Sequence, residues 1–393
     1  MRFLESPRAT RVAVALLVAM GAAFVLTLAS GEGADTAAGR LGGDYPAFYA
    51  AGRIAADGDL DEVNELDRLE AAQRDLFPEG EEGFLTWAYP PHVALLYRPL
   101  AALPYRASYA VHTALMVAAY IGAAALLRRK VPWLDRAFLP GLAAGLAFYP
   151  MFRGIGAGQN TALTLLLLIG AWRASLSGRD GLAGVLLGLL LFKPQFALLA
   201  IAAWAIARRW RAVATFAAIA AATWTVTALF AGAGWVTDWL EDLEAYRATE
   251  DVNAENHVSL SEAADAIFGV PAIGWAFAVV VASFVARRWW HGPDLALLAP
   301  ALPLCAAHAV FYDIGLALIT AAVALPAAPA AVGALWLAGL LDPLKDALGF
   351  NPGVLALLGW FAVAWRLGRP AQPLGSGAQP QESAAGGFAA EDR

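Results

Sequence analysis

The sequence is poor in cysteine and in charged residues. Cys305 is the one cysteine among 393 residues, so a disulfide within the chain and a cysteine-based metal site are both excluded. Charged residues make up only 15% of the chain, against about 25% in an average soluble domain, whereas 60% of the residues are hydrophobic. The net charge of −6 argues against nucleic acid as a partner.

Apolar runs follow one another along the chain, each of roughly 14–22 residues, and a membrane-spanning helix needs about 20. Fourteen tryptophans and ten tyrosines suit the aromatic belts of a membrane protein. The composition therefore predicts an all-α polytopic membrane protein with about 10–12 transmembrane helices. We interpret residues 12–29 as a retained first span, although the arginines before it also resemble a signal peptide.

Arginine and lysine clusters predict which loops face the cytoplasm, because such loops carry an excess of positive charge. If all the clusters lie on one side, the chain crosses an even number of times between consecutive clusters. The clusters are Arg8 and Arg11; Arg128, Arg129 and Lys130; Arg173 and Arg179; Arg208, Arg209 and Arg211; Arg287 and Arg288; Arg366 and Arg369.

Residues 181–207 test this rule. A single helix there would place the Arg179 cluster and the Arg208 cluster on opposite sides of the membrane. A hairpin that turns at Lys193-Pro194-Gln195 keeps both clusters inside, and proline breaks a helix at this point. We favour the hairpin, and a single kinked helix is the alternative.

Two more short hairpins have the same pattern. Residues 137–152 and 159–172 are joined by FRGIGAGQN, and residues 295–309 and 314–325 are joined near HAVFYD. Polar, irregular backbone at membrane depth is tolerated only where protein or a cavity covers it. The three hairpins therefore predict a covered polar cavity recessed at the outer side.

Two long acid-rich segments are predicted to lie outside the membrane. The outer loop 31–105 has a helical apolar stripe and is expected to form two amphipathic helices along the interface. The second outer loop covers residues 233–270. Residues 1–369 form one membrane domain, and residues 370–393, which lack apolar periodicity, are expected to be a disordered cytoplasmic tail.

The stretch GGDYPAFYAAG, residues 42–52, contains the most informative acidic residue. Asp44 stands where a helix cap would stand, directly after the first span, so it is either a cap or a carboxylate held at the membrane surface for chemistry. Ionisable groups near a bilayer are costly unless they are paired or hydrated, and by default they indicate function. The other candidates on the predicted outer side are Tyr45, Tyr49, Tyr89, His92, Arg153, Gln159, Asn160, Lys193, His257, His308 and Asp313.

Each candidate also has a structural interpretation. Lys193 could extend its ammonium to the interface, Gln159 and Asn160 could cap the next helix, and His92 could be a packing residue. His308 or Asp313 could mark the end of a span. We find no HExxH motif and no clustered His and Cys residues, so the sequence supports neither a metal nor another cofactor.

Four short motifs resemble glycosyltransferase family 87, a family of membrane mannosyltransferases. They are Asp44-Tyr45 followed by YxAG at Tyr49, YPP at Tyr89, GQN at Gly158, and LFKP ending at Lys193-Pro194. Each motif is weak alone, but the four occur in order at suitable membrane positions. The similarity covers residues from about 40 to about 315 and weakens beyond them.

The resemblance implies the C-type membrane glycosyltransferase architecture and transfer of a hexose, with mannose favoured, from a polyprenyl-phosphate donor to a lipid or glycan acceptor. In such enzymes an acidic residue of the first outer loop usually serves as the base, and Asp44 is the matching position. The resemblance also implies a multi-pass protein of the plasma (inner) membrane, in contact with membrane lipids, with its active site outside. The alternative is a transporter or flippase of a lipid-linked or anionic substrate.

Overall fold

The computed structural model describes residues 3–30, 41–77, 84–249 and 254–368, and these residues are largely helical, with no β-strand among them. An isolated antiparallel bridge joins His257 to Val310. The predicted all-α class is confirmed. The expected disordered tail, residues 370–393, lies outside the described residues.

The bounds of the helices follow the apolar runs and their polar breaks. In chain order they are α1 (Pro7–Ser30), α2 (Tyr45–Asp57), α3 (Leu66–Leu76), α4 (His92–Ala101), α5 (Tyr105–Arg128), α6 (Pro132–Arg136), α7 (Phe138–Leu146), α8 (Tyr149–Gly156), α9 (Thr161–Leu176), α10 (Asp180–Leu189), α11 (Pro194–Ile206), α12 (Trp210–Ala231), α13 (Trp235–Thr249), α14 (Leu260–Phe268), α15 (Pro271–Trp289), α16 (Leu295–Cys305), α17 (Leu318–Ala324), α18 (Pro329–Ala338), α19 (Lys345–Leu348) and α20 (Gly353–Leu367). Short 3₁₀ segments are Leu60–Glu62, Leu190–Phe192, Ala254–Asn256, Phe311–Ala317 and Gly339–Leu344.

Four of the described helices, α1, α5, α12 and α15, are long and apolar enough to cross a membrane alone. Helices α8 and α9 would form a fifth span if the pair is taken together, although it is bent by 116°. Further apolar segments of 10–17 residues are too short to cross alone as straight helices. The polytopic membrane class is confirmed, whereas the expected count of 10–12 spans requires these short segments to cross as well and stays a prediction.

Helices α10 and α11 form the predicted hairpin. The Arg209 guanidinium lies 3.3 Å from the Asp180 carboxylate, so the start of α10 and the residues after α11 lie side by side. A single helix over this stretch would hold these ends about 40 Å apart. The chain turns at Lys193, directly before Pro194, and the kinked-helix alternative is wrong.

The other two predicted breaks are also present. Residues 157–160 separate α8 from α9, and residues 306–310 follow α16 before the 3₁₀ segment Phe311–Ala317. Gly158, with φ +71°, lies within the first break. Pro150 is instead the second residue of α8, and the predicted run 137–152 is divided into α7 and α8 at residues 147–148. The chain therefore has three interrupted helical pairs at the positions expected from the sequence.

The basic clusters lie together at the end of the bundle opposite these breaks. Arg136 contacts Glu5 at 2.9 Å, which brings the end of α6 to the residues before α1. The Arg208 guanidinium lies over the Trp290 ring, 4.5 Å from its centroid, at the end of α15. A pocket lined by Leu127, Trp172 and Arg288 connects these groups. One end of the bundle is therefore basic, as the charge pattern predicts.

The described part of the predicted outer loop, residues 41–77 and 84–105, contains three complete α-helices, not the two predicted. They are α2, α3 and α4, and a 3₁₀ segment lies between α2 and α3. Helix α2 packs closely on α4, because a Cβ at Gly52 would lie 2.8 Å from the Tyr97 carbonyl oxygen. The predicted apolar stripe is partly buried at Leu60, Val63 and Leu69. Asn64 donates to the Trp87 carbonyl at 2.8 Å and so joins residues 84–88, which have no regular secondary structure, to the segment before α3.

Candidate active site

Asp44 precedes α2 but does not cap it. Its backbone lies at the N-cap position, yet its side chain makes no hydrogen bond to the first turn. The Asp44 amide donates to the Ala157 carbonyl at 3.0 Å, which fixes the residue against the break between α8 and α9. Glycine is required before it, since Gly43 has φ +57° and a Cβ there would lie 2.9 Å from Ala157 Cα. The capping interpretation is therefore wrong.

The Asp44 carboxylate accepts hydrogen bonds from two side chains. Gln159 Nε2 donates to Oδ2 at 2.7 Å, and the Tyr312 hydroxyl donates to the same oxygen. Within the described residues, no protein group bonds Oδ1, and Asp44 is partly exposed. One carboxylate oxygen is thus held in place while the other is available to a ligand.

Gln159 and Asn160 also face this site instead of capping α9. Asn160 occupies the N-cap position without a side-chain cap bond. The Tyr89 hydroxyl donates to Gln159 Oε1 at 3.0 Å and lies 3.5 Å from Asn160 Oδ1. Tyr89 of the YPP motif therefore orients the amide that holds Asp44.

Lys193 and Asp313 form a buried ion pair. The Lys193 ammonium lies 2.6 Å from Asp313 Oδ1, and the two side chains are only 5% and 2% exposed. The Thr161 hydroxyl donates to the same Asp313 oxygen at 3.3 Å, and the Val310 amide donates to the other oxygen at 3.3 Å. Lys193 does not extend to the surface, so the interfacial interpretation of this lysine is wrong.

The three breaks meet at this point. Tyr312 holds Asp44, and its chain neighbour Asp313 holds Lys193, so the acid and the ammonium lie on either side of one dipeptide. Thr161, at the start of α9, links the break after α8 to the same carboxylate. Residues far apart in the sequence form one polar network, although whether a cavity beside it admits a substrate stays a prediction.

Tyr45 and Tyr49 lie in an aromatic cluster behind Asp44. Tyr45 is fully buried, with its hydroxyl 2.6 Å from the Ser108 hydroxyl, and Tyr49 donates to the Leu103 carbonyl at 2.8 Å. Both rings pack on Tyr105, at centroid distances of 5.8 and 5.3 Å. These contacts support the start of α2. A role of either ring in binding substrate stays a prediction and would require the cluster to open.

Arg153 and His92 are not among the direct partners of Asp44. Arg153 is exposed in the last turn of α8, and its charge acts on Tyr312. The His92 ring lies at the start of α4, 6.2 Å from the Trp235 ring, and burial lowers the pKa of His92 to about 4. His92 is therefore neutral near pH 7, which agrees with the packing interpretation.

His257 and His308 lie together, one on each side of the bridge between residues 257 and 310. Their ring centroids are 4.7 Å apart, and both Nδ1 atoms point to Glu262 Oε1, at 3.4 Å and 3.3 Å. Gln195 donates to the His308 carbonyl at 3.3 Å, so this group adjoins the turn that contains Lys193.

The sequence does not predict the contacts of three residues near the site, Tyr312, Thr161 and Glu262. Tyr312 is a polar residue of HAVFYD on the predicted outer side, but nothing in the sequence indicates its contact with Asp44. Thr161 reads as an ordinary first residue of an apolar helix. Glu262 reads as part of a capping box with Ser259, which is indeed the N-cap of α14, and this local role conceals its contact with the histidines.

The segment that contains most of these residues matches a known protein family. The model of glycosyltransferase family 87 matches residues 87–311, more than half of the 393-residue chain. Neither the curated proteins nor the solved structures contain a match to this sequence. The matched range contains Tyr89, Asn160 and Lys193, while Asp44 precedes it and Asp313 follows it closely. Three of the four short motifs, at Tyr89, Gly158 and Lys193, lie within the match, whereas the motif at Asp44 lies before it. The match covers more than half of the chain, and the chain therefore belongs to glycosyltransferase family 87.

Proposed function

We propose that this glycosyltransferase moves a hexose, with mannose favoured, from a polyprenyl-phosphate donor to a lipid or glycan acceptor, with Asp44 as the general base. The observation that carries the proposal is the pattern of hydrogen bonds at the Asp44 carboxylate. It does not cap a helix, two donors fix its Oδ2, and its Oδ1 has no protein partner within the described residues. Family membership favours transfer over the transporter alternative.

In the proposed step, the acceptor hydroxyl oxygen attacks the anomeric carbon as the bond from that carbon to the phosphate oxygen breaks. Asp44 Oδ1 takes the proton of the hydroxyl, and the lipid phosphate leaves with the bonding electrons. Such a positioned base contributes about 10²–10⁴-fold to a rate. Gln159 and Tyr312 keep the carboxylate oriented, because both donate to the oxygen that does not react.

The leaving phosphate gains negative charge, and fixed cations and donors stabilise such charge when they are preorganised. Arg153 is exposed at the end of α8, its charge acts on Tyr312, and it forms no ion pair with another described residue, so it is free of a competing carboxylate there. Lys193 is held by Asp313 at 2.6 Å, so it contributes to phosphate binding only as part of a pair. We therefore assign the first phosphate contact to Arg153.

The location of the basic clusters supports an outer active site in the plasma membrane. They lie at the end of the bundle opposite Asp44, and loops rich in arginine and lysine usually face the cytoplasm. Nucleotide sugars are cytoplasmic, so a transferase that works outside requires a lipid-borne donor.

Two assays test the proposal. Purified protein in liposomes is given labelled polyprenyl-phosphate mannose, or labelled nucleotide-linked mannose, together with a membrane extract as acceptor. Transfer from the lipid donor and none from the nucleotide donor is expected. Equal transfer from both donors, or transfer only from the nucleotide sugar, contradicts the donor assignment.

Sidedness is tested by cysteine labelling in intact cells. The native thiol is first removed by Cys305→Ser, and one exposed position is then replaced: Asp57→Cys, at the end of the helix that begins after Asp44, or Lys130→Cys, in a basic cluster. A membrane-impermeant maleimide is expected to label position 57 and not position 130. The reverse pattern contradicts the outer location.

A further inference from the structure

A cluster of two imidazoles and one carboxylate lies beside the active-site network and has no role in the proposed transfer step. It consists of His257, Glu262 and His308, whose ligand atoms all lie within 4.8 Å of one another. His257 belongs to the second outer loop and His308 to the break after α16, so residues about fifty positions apart in the sequence converge. The geometry points to a binding site for a divalent transition-metal ion of the Zn²⁺ class.

The distances fit metal ligation better than hydrogen bonding. Glu262 Oε1 lies 3.4 Å from His257 Nδ1 and 3.3 Å from His308 Nδ1. A charge-assisted N–H···O⁻ hydrogen bond is normally about 2.7–2.9 Å long. In a tetrahedral zinc site with bonds of about 2.0–2.1 Å, neighbouring ligand atoms are about 3.3–3.4 Å apart. The two distances from Glu262 Oε1 to the histidine Nδ1 atoms therefore already equal the ligand-to-ligand distances of such a site.

The set of ligands selects the class of ion. Two imidazole nitrogens and one carboxylate oxygen suit Zn²⁺ and its neighbours, whereas Mg²⁺ and Ca²⁺ prefer oxygen ligands alone. Three protein ligands leave a fourth position for water or another ligand, as in sites that are not purely structural. The side chains of His308 and Glu262 are 32% and 21% exposed, so an ion and its water can enter from solvent.

The Glu262 carboxylate is held by a hydrogen bond from a further side chain, as metal ligands usually are. The Ser259 hydroxyl donates to Glu262 Oε2 at 2.7 Å, which leaves Oε1 directed at the two histidines. The backbone is fixed as well, because the Val258 amide donates to the Ala309 carbonyl at 2.8 Å and joins the two segments. Outer hydrogen bonds of this kind orient ligands and raise metal affinity.

A bound ion would join the second outer loop to the break that contains Tyr312 and Asp313. His308 lies five residues before Asp313, and its carbonyl accepts from Gln195, two residues after Lys193. The ion therefore stabilises the position of the segment that holds both Asp44 and Lys193.

The test uses the full-length protein in detergent, treated with EDTA and then titrated with Co²⁺, which reports tetrahedral coordination through its visible absorption. Wild-type protein is expected to bind a single Co²⁺, displaced by Zn²⁺, and binding is expected to raise its melting temperature. Glu262→Gln and His308→Asn are expected to weaken binding by more than the about 10–100-fold that follows loss of an outer partner. His291→Asn, at an exposed histidine outside the cluster, is the matched control and is expected to bind as wild type does.

Absence of Co²⁺ binding to the wild-type protein overturns the inference, and so does equal binding by Glu262→Gln, His308→Asn and His291→Asn. His308→Cys guards against loss of folding, because it retains a ligand atom. It is expected to bind Co²⁺ with a new sulfur-to-cobalt absorption band, and a folded His308→Cys protein without that band also overturns the inference. These readouts are independent of sugar transfer, so the metal site and the proposed function fail or succeed separately.

Discussion

Breaking the Lys193–Asp313 pair on one side is expected to destabilise the protein much more than replacing both partners. The pair is 2.6 Å long and nearly inaccessible, with 5% and 2% of the side chains exposed. Lys193→Met leaves a buried carboxylate whose remaining donors are Thr161 and the Val310 amide. Asp313→Leu leaves a buried ammonium without its carboxylate partner; the Phe196 ring, with its centroid 5.4 Å away, is a much weaker partner.

Removing one partner of a buried pair typically costs about 3–5 kcal/mol, because the other charge stays buried and unpaired, whereas replacing both with apolar residues is often neutral. We therefore expect Lys193→Met and Asp313→Leu each to lose stability in this range, and the double variant to recover most of it. The exposed pair Arg68–Glu62, with side chains 38% and 40% exposed, is the control. Glu62→Gln is expected to cost less than about 1 kcal/mol.

The measurement is thermal or denaturant unfolding in detergent, followed by tryptophan fluorescence, for the single and double variants. Losses that simply add in the double variant would contradict the buried-pair account. So would single variants that are as stable as Glu62→Gln. Transfer activity of a double variant that has regained stability then shows whether the pair also serves the reaction.

Two further predictions concern the frame of the site. Gly158→Ala is expected to lower the melting temperature, because residue 158 has φ +71° and an added Cβ would lie 2.6 Å from Tyr45 Cβ. Gly156→Ala is the control, since an added Cβ there meets no atom within 4 Å. Equal melting temperatures of the two variants would contradict this prediction. Because burial lowers the pKa of His92 to about 4, the unfolded chain binds its proton more readily, and stability should fall as the pH drops from about 6.5 towards 4, by at most about 3 kcal/mol. His92→Phe should reduce this loss in pH-dependent melting curves, and an unchanged profile would contradict the buried neutral histidine.

The breaks in the apolar pattern could be predicted because their causes are local. Proline at 194 ends a helix whatever its surroundings, and the positive charges on each side require an even number of crossings. The hairpin of α10 and α11 follows from these two facts, and the Arg209–Asp180 contact confirms it. Gln159, Lys193 and Asp313 lie at or next to the three breaks, so the same local signals predict that they lie on one side of the bundle.

The pairings among these tips could not be predicted, because they depend on contacts between distant segments. Lys193 and Asp313 are separate candidates in the sequence, and nothing in LFKP indicates that Asp313, 120 residues later, neutralises the lysine. Asp44 resembles a cap in sequence, and only its position against Ala157 directs its carboxylate to Gln159. Glu262 has a sufficient local explanation as a capping residue, so its contact with two histidines gives no separate sequence signal.

The most direct test of the account is the initial rate of mannose transfer by Asp44→Asn, measured with saturating polyprenyl-phosphate mannose. Asp57→Asn, at an exposed carboxylate on the last residue of the same helix, is the matched control. The account predicts a loss of about 10²–10⁴-fold for Asp44→Asn, with folding and melting temperature close to those of the control. An Asp44→Asn protein that transfers mannose as fast as Asp57→Asn would contradict the assignment of the base.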